Sequence, residues 1–308
     1  MIEGKQRMVS HSRFGGNYPS NAPACIDAHH HLWHYVPPGP DWMTDGLEAL
    51  RQDFLIDELC EVTSEAGVTA TIVVESARSD QETAWLNQLA DAENLIWGVI
   101  GWTALTSPTV ISDLERLASA SKMKAIRHPI HDEPDDLFVL REDFNRGVAA
   151  LKEFNFGYDI LIFETHLPQT VEFVDRHPNQ VFILDHVAKP RIRDRVLSPW
   201  RENIRELARR PNVYCKLSGM VTEDDWNNWS IDTLHPYIEI VLESFAPRRL
   251  MFGSDWPVAT LACSYKSWIS AVRFAISQLS VTEQEWILSK TATEAYRLSR
   301  IEIEGPTS

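Results

Sequence analysis

The chain has 308 residues, 44% of them hydrophobic and 24% charged, with a formal net charge of −15. That is enough apolar material for one large core. The negative field repels phosphate backbones and anionic lipid surfaces, so neither nucleic acid nor a membrane is expected as a partner.

Residues 1–23 lack the apolar run of a signal peptide and read as a polar N-terminal arm, followed by a single domain over 24–308. No stretch approaches the roughly 18 apolar residues of a membrane span, and a cytoplasmic location is expected. Cys25, Cys60, Cys215 and Cys263 lack metal spacing and read as free thiols in a reducing compartment.

Short β-branched runs alternate with helical patterns along the chain. The strands predicted are Ala24–His31, Val68–Ser76, Ile96–Leu105, Met123–Ile130, Tyr158–Thr165, Val181–Val187, Val213–Gly219 and Leu250–Pro257. Helical spacing falls at Asp80–Ala92, Ser112–Ser121, Arg141–Phe154 and Trp200–Arg210, and Leu167-Pro168 opens another helix. Repeated βα units of this number and length predict an α/β fold, the (β/α)8 TIM barrel. An open doubly wound sheet is the alternative, but it would separate the first strand from the last. Two long connections, Leu32–Asp53 and Met220–Ser230, are rich in tryptophan and are expected to act as lids over the C-terminal face.

The chemistry sits where the first and last strands end. Asp27-Ala28-His29-His30-His31 closes one and Gly253-Ser254-Asp255-Trp256-Pro257 closes the other, and in a closed barrel these strands are neighbours. Strand alternation predicts that Asp27, His29 and His31 share one face, with Ala28 and His30 on the other. It likewise puts Met251, Gly253 and Asp255 on one face, with Gly253 and Ser254 leaving room for a ligand. His186 is expected to turn inward from the sixth strand by its parity with Phe182 and Leu184. Other strand ends offer Glu75, Trp102, Arg127, His128, Glu164, Asp185 and Lys216. Two imidazoles and a carboxylate, His29, His31 and Asp255, satisfy the ligand chemistry of one zinc, with His186 as a fourth group. The fourth and fifth strands lack the lysine and histidine of a two-metal centre, so even one metal is optional and no cofactor is expected to be required.

Taken together, these stretches resemble the amidohydrolase superfamily, and within it the sugar-acid lactonases of L-fuconolactonase-like and L-rhamnonolactonase-like type, with pyrone-dicarboxylate lactonases more distant. The resemblance is carried by IDAHHHLW at 26–33, RQDF at 51–54, GVTATIVVES at 67–76, VIGWTAL at 99–105, AIRH at 125–128, ILDHVAKP at 183–190, NVYCKLSG at 212–219 and RLMFGSDWPV at 249–258. It implies a (β/α)8 barrel that hydrolyses a lactone, with His29, His31, His186 and Asp255 at the core positions and several members working without a divalent metal. Two stretches depart from the pattern: His30 stands where relatives often carry Gln, and Lys290–Tyr296 is a loose version of an asparagine-containing helix.

Lactone opening needs an activated water and a stabilised oxyanion. Asp255 is expected to be the general base, with His29, His31 and His186 polarising the carbonyl. Glu75, Trp102, Arg127, His128, Lys216, Trp33 and Trp256 are expected to bind substrate. A dicarboxylated ring would call for several cations, and only Arg127, Lys189 and Lys216 are placed for that, so a neutral aldonolactone fits better. The partner expected is thus a small-molecule sugar lactone, with a homodimer left open. A zinc-dependent amidohydrolase or nonoxidative decarboxylase on the same barrel is the alternative, and a ligand-binding barrel that has lost catalysis is a third.

Overall fold

The computed structural model describes residues 24–298; the polar arm expected over 1–23 lies outside the described residues. The strands are β1 (Ile26–His30), β2 (Ala70–Val74), β3 (Ile96–Gly101), β4 (Met123–Pro129), β5 (Gly157–Leu161), β6 (Phe182–Leu184), β7 (Val213–Leu217) and β8 (Leu250–Phe252). They form one parallel sheet in sequential order. The sheet closes where His30 bridges Trp256 in parallel, supported by Asp255 N–H donating to His29 O (2.7 Å) and His31 N–H to Trp256 O (2.7 Å). The barrel expected from the alternating pattern is present.

Helices α1 (Ile56–Ala66), α2 (Asp80–Ala92), α3 (Val110–Ala118), α4 (Glu142–Leu151), α5 (Leu167–Asp175), α6 (Trp200–Ala208), α7 (Ile231–Phe245) and α8 (Tyr265–Ala275) follow the strands in turn. Their limits have local causes. Ser79 and Ser230 cap α2 and α7 by accepting from the third N–H of each helix, Pro168 sits in the first turn of α5, and α1 stops at Gly67, whose φ of 74° suits glycine.

Two apolar layers result. Inside the barrel, Ile26, Ala28, Ala70, Ile72, Val74, Ile100, Ala125, Ile183 and Met251 pack together with Ala292, Tyr296 and Leu298, so the C-terminal segment plugs the bottom. The larger layer lies between strands and helices. The cysteines are unpaired, and no helix among the described residues is long and apolar enough to cross a membrane.

β1 departs from simple alternation. Asp27 pairs with Thr71 but His30 pairs with Val73, so three steps on β1 oppose two on β2. This bulge puts Ala28 and His29 both toward the interior. Asp27 is left facing outward, where its carboxylate accepts from Ser254 N–H (2.8 Å), His29 N–H (3.1 Å) and the Tyr265 hydroxyl of α8 (2.8 Å). Asp27 therefore seals the β1–β8 seam and takes no part in the site. His30 points the other way and is buried, with neither ring nitrogen hydrogen-bonded within the described residues.

Because three buried donors converge on Asp27, replacing it with alanine orphans all of them, each worth roughly 1–3 kcal/mol. We expect Asp27→Ala to lower stability by at least about 3 kcal/mol in urea titrations, and Asp27→Asn, which keeps one acceptor oxygen, to cost less. Equal stability of Asp27→Ala and wild type would contradict the seam role.

Candidate active site

At the C-terminal mouth, Nε2 of His29 lies 3.2 Å from Nε2 of His31, and Asp255 Oδ1 lies 3.8, 3.5 and 3.8 Å from Nε2 of His29, His31 and His186. All four side chains are buried. Each imidazole is anchored through Nδ1. That of His31 meets Val74 O at 2.9 Å, that of His186 meets Ser218 Oγ at 2.8 Å, and that of His29 lies between Lys216 Nζ (3.1 Å) and Asp185 Oδ1 (3.3 Å). A carbonyl only accepts, so His31 carries its proton on Nδ1 and, when neutral, turns a lone pair toward Asp255.

His186 arrives by a different route from the one expected. Phe182 and Leu184 face the outer layer while Ile183 faces inward, so parity would have carried His186 outward. Instead His186, Val187, Ala188 and Lys189 run at φ of 51°, 49°, 63° and 47°. Left-handed backbone costs non-glycine residues roughly 1–2 kcal/mol each, and this turn is held by Trp200 Nε1 donating to Val187 O (2.8 Å) and by a Lys189–Glu223 ion pair (2.7 Å). It delivers both His186 and Lys189 to the mouth. Gly219, at φ 61°, makes the room: a Cβ there would come within 2.5 Å of His186 Nδ1.

Gly253 serves in the same way. A Cβ on it would lie 2.7 Å from His29 Cβ, and the Ser254 hydroxyl is engaged by His29 O and Trp256 N–H. The space expected for a ligand beside these residues is filled by His29 and by the seam.

Beneath the imidazoles lies a buried ionic network. Lys216 Nζ contacts Asp159 Oδ2 (2.5 Å) and Asp185 Oδ1 (2.9 Å), and Arg127 contacts Glu75 Oε1 (2.7 Å) and Asp185 Oδ2 (3.2 Å). Tyr296, from the C-terminal plug, donates to Asp159 Oδ2 at 2.8 Å. Burial raises the carboxyl of Asp159 to about 6 despite the pull of Lys216. Burial also acts to raise Asp185, but Lys216 and Arg127 outweigh it and hold Asp185 below the ordinary carboxylate range. Above the network, burial and the charges of Lys216, His31 and Arg127 keep His29 well below its ordinary value, and burial does the same to His186 against the pull of Asp255. Burial would lift Asp255, yet His186, His31 and Lys189 bring it below its ordinary value, so it stands as a carboxylate.

The mouth opens into a cavity of about 120 Å³ lined by His31, Arg127, His186, Lys189 and Asp255, with Ser76, His131 and Asp132 polar at its rim and Trp42, Pro129, Leu161 and Val258 apolar. Several expected substrate contacts lie elsewhere. Lys216 is fully buried within the network, and Glu75 is engaged by Arg127. His128 stacks on Phe138 outside the barrel, bonds Glu133 (2.8 Å) and accepts from Trp102 Nε1 (3.2 Å), because on β4 the inward position belongs to its neighbour Arg127. Trp33 and Trp256 pack edge-on against Phe54, under the loop after β1. Of the two long loops, the first reaches the cavity, through Trp42, whose Nε1 donates to Ser76 O (2.6 Å). The loop after β7 contributes no lining residue and meets the site through Glu223.

His131 and Asp132 were not singled out from the sequence, since they follow β4 within a short 3-10 turn, Ile130–Asp132. Asp159 was also missed, although a lone carboxylate inside the apolar run Tyr158–Ile162 was a readable signal.

The donor set fits a single divalent ion: one ligand atom each from His29, His186 and Asp255 lies within 4.8 Å of the others. His186 thus stands in that trio where the sequence pointed to His31, and His31 Nε2 remains adjacent. With its Nδ1 proton on Asp185, His29 would also present a lone pair, as a metal ligand must.

A closed βα barrel with three imidazoles and a carboxylate gathered at its mouth is the hydrolase architecture that the sequence pattern implied. Residues 26–298 match the family model described as amidohydrolase, and the chain belongs to that family. It is 39% identical over 286 residues to the L-fucono-1,5-lactonase of Burkholderia multivorans, covering 89% of this chain and 96% of the relative. It is 32% identical over 248 residues to the L-fucono-1,5-lactonase of Burkholderia ambifaria, covering 80% and 85%. A crystal structure of an amidohydrolase from Burkholderia multivorans with bound zinc superposes with a TM-score of 0.86 at 38% identity, over 90% of this chain and 100% of that one.

Removing Lys216 leaves Asp159 and Asp185 buried without their common cation, a loss of about 3–5 kcal/mol for a broken buried pair. We expect Lys216→Met to be destabilised on that scale at pH 8 and by less at pH 5. The sign follows from the orphaned carboxyls: their folded-state pKa rises above the unfolded value, so stability is lost as pH climbs between the two. Denaturant titration at both pH values checks this.

Proposed function

We propose that this protein is a lactonase that opens a neutral sugar-derived lactone to its free acid, with Asp255 as the general base. The observation that carries the reading is the anionic Asp255 carboxylate, ringed by three imidazoles at the end of a small, partly cationic cavity. The names borne by the two lactonase relatives support the reaction class and point to a 1,5-lactone of a deoxyhexonic acid as the kind of substrate.

The chemistry follows from the donors present. The lone pair of His31 and the carboxylate of Asp255 hold a water between them. Asp255 takes its proton as the oxygen attacks the lactone carbon, and the carbonyl π pair moves onto oxygen. When the tetrahedral species collapses, the bond to the ring oxygen breaks and the proton returns from Asp255 to that oxygen, leaving an acid and an alcohol. Ser76, His131 and Asp132 suit the hydroxyls of a sugar, while Trp42, Leu161 and Val258 suit its ring carbons. A dicarboxylate is less well served, because Arg127 faces Glu75 and Asp185, and Lys189 faces Glu223. A divalent ion, held by His29, His186 and Asp255, would supply further polarisation of the carbonyl and a more acidic water.

We expect Asp255→Asn to fold like wild type and to lose about 10²–10⁴-fold in kcat on the best aldonolactone of a five- and six-membered panel, read with a pH indicator. Turnover near wild type would remove Asp255 from the base role. Activity is expected to survive exhaustive chelation, since the cavity carries its own cations. Full loss, restored by stoichiometric zinc, would instead make the metal essential.

A further inference from the structure

We infer that Lys189 is the group that stabilises the oxyanion in this reaction, with Glu223 as its positioning residue. The inference rests on the lactonase reading and supplies what that reading lacks, a charged donor for the carbonyl oxygen.

Most donors around the cavity are already engaged, His186 among them, with its Nδ1 on Ser218 and its Nε2 facing Asp255. His31 donates through Nδ1 to Val74 O and turns its Nε2 to Asp255 at 3.5 Å. His131 is kept neutral, its pKa pushed down to about 3 by burial and by Lys189 and Arg127. The Ser76 hydroxyl donates to Glu82. Arg127 lines the cavity, but its Nε and Nη2 donate to Glu75 and its Nη1 to Asp185 and His29, so two carboxylates hold its charge back. Lys189 faces the same cavity with one carboxylate partner, Glu223, and three N–H groups, of which that pair engages one.

Backbone geometry points the same way. Lys189 ends the run of left-handed residues that begins at His186, a conformation that β-branched Val187 in particular resists. Strain held in place by hydrogen bonds is a mark of functional placement, and here it brings two groups to the cavity at once. His186 Nε2 goes to within 3.8 Å of Asp255, and Lys189 joins His186 and Asp255 in the wall of the same cavity. Glu223 reaches in from the loop after β7, and Arg193 N–H donates to its backbone carbonyl at 2.9 Å, so that loop and the one after β6 are tied together behind the lysine.

In the step itself the water adds to the carbonyl carbon, the π pair goes to oxygen, and a Lys189 N–H donates to that oxygen without transferring its proton. Collapse returns the pair and releases the donor unchanged. An interaction made only with the developing charge raises kcat and leaves KM nearly alone.

The test compares wild type with Lys189→Met and Lys189→Cys on the best lactone of the panel. Loss of one oxyanion donor predicts a fall in kcat of about 10²–10³-fold with KM within about threefold. Alkylating Lys189→Cys with 2-bromoethylamine rebuilds an ammonium of nearly lysine length and is expected to restore activity, with alkylated wild type as the control for Cys60 and Cys263. That recovery keeps the test decisive should Lys189→Met fold poorly. A kcat within threefold of wild type, a loss carried by KM alone, or no recovery on alkylation of folded Lys189→Cys would overturn the assignment. Absence of wild-type turnover on every lactone would contradict the lactonase reading itself, and this inference with it.

Discussion

The ion pairs of Lys216 inside the barrel are the constraint on which the site depends. An ammonium placed among strands costs several kcal/mol in desolvation unless carboxylates and hydrogen bonds surround it. Here β5 and β6 supply Asp159 and Asp185, and the C-terminal plug supplies Tyr296. Lys216 and Asp185 together flank His29 Nδ1, which sets how that imidazole meets Asp255. Arg127 repeats the scheme one layer over, bridging Glu75 and Asp185. The strand ends thus form one connected polar floor, and Asp255 with its three imidazoles stands on it.

This floor explains why so many polar strand-end residues fail to touch the cavity. Five ionisable groups at the barrel axis pair with one another, and the side chains left facing the cavity above them include Asp255, His31, His186 and Lys189. The rest of the cavity wall comes from the loops, through Trp42 after β1 and His131 and Asp132 after β4. Division between a rigid electrostatic base and variable loops suits a fold that changes substrate without changing reaction.

The barrel was legible because β-branched runs and helical spacing alternate with little interruption, and the strands fall within the predicted runs except that β5 begins one residue earlier, at Gly157. That His29, His31 and Asp255 come together was legible because strands one and eight must meet. What escaped was local geometry that alternation does not encode. An extra residue in β1 reverses the roles of Asp27 and Ala28. A left-handed turn brings His186 in from the wrong parity and Lys189 with it. His128 and Trp102 were misassigned because a polar residue at a strand end can serve the helix layer as readily as the mouth, and Lys216 because an interior cation and a substrate-binding one share the same strand position.

The account holds that water attacks the carbonyl carbon of a lactone and that the ring oxygen leaves from that carbon. Hydrolysis in ¹⁸O-labelled water, followed by mass spectrometry of the opened acid after a single turnover, tests this directly. One label in the product carboxylate is the predicted result. A label on the chain hydroxyl, or a product that has lost carbon dioxide, would contradict it.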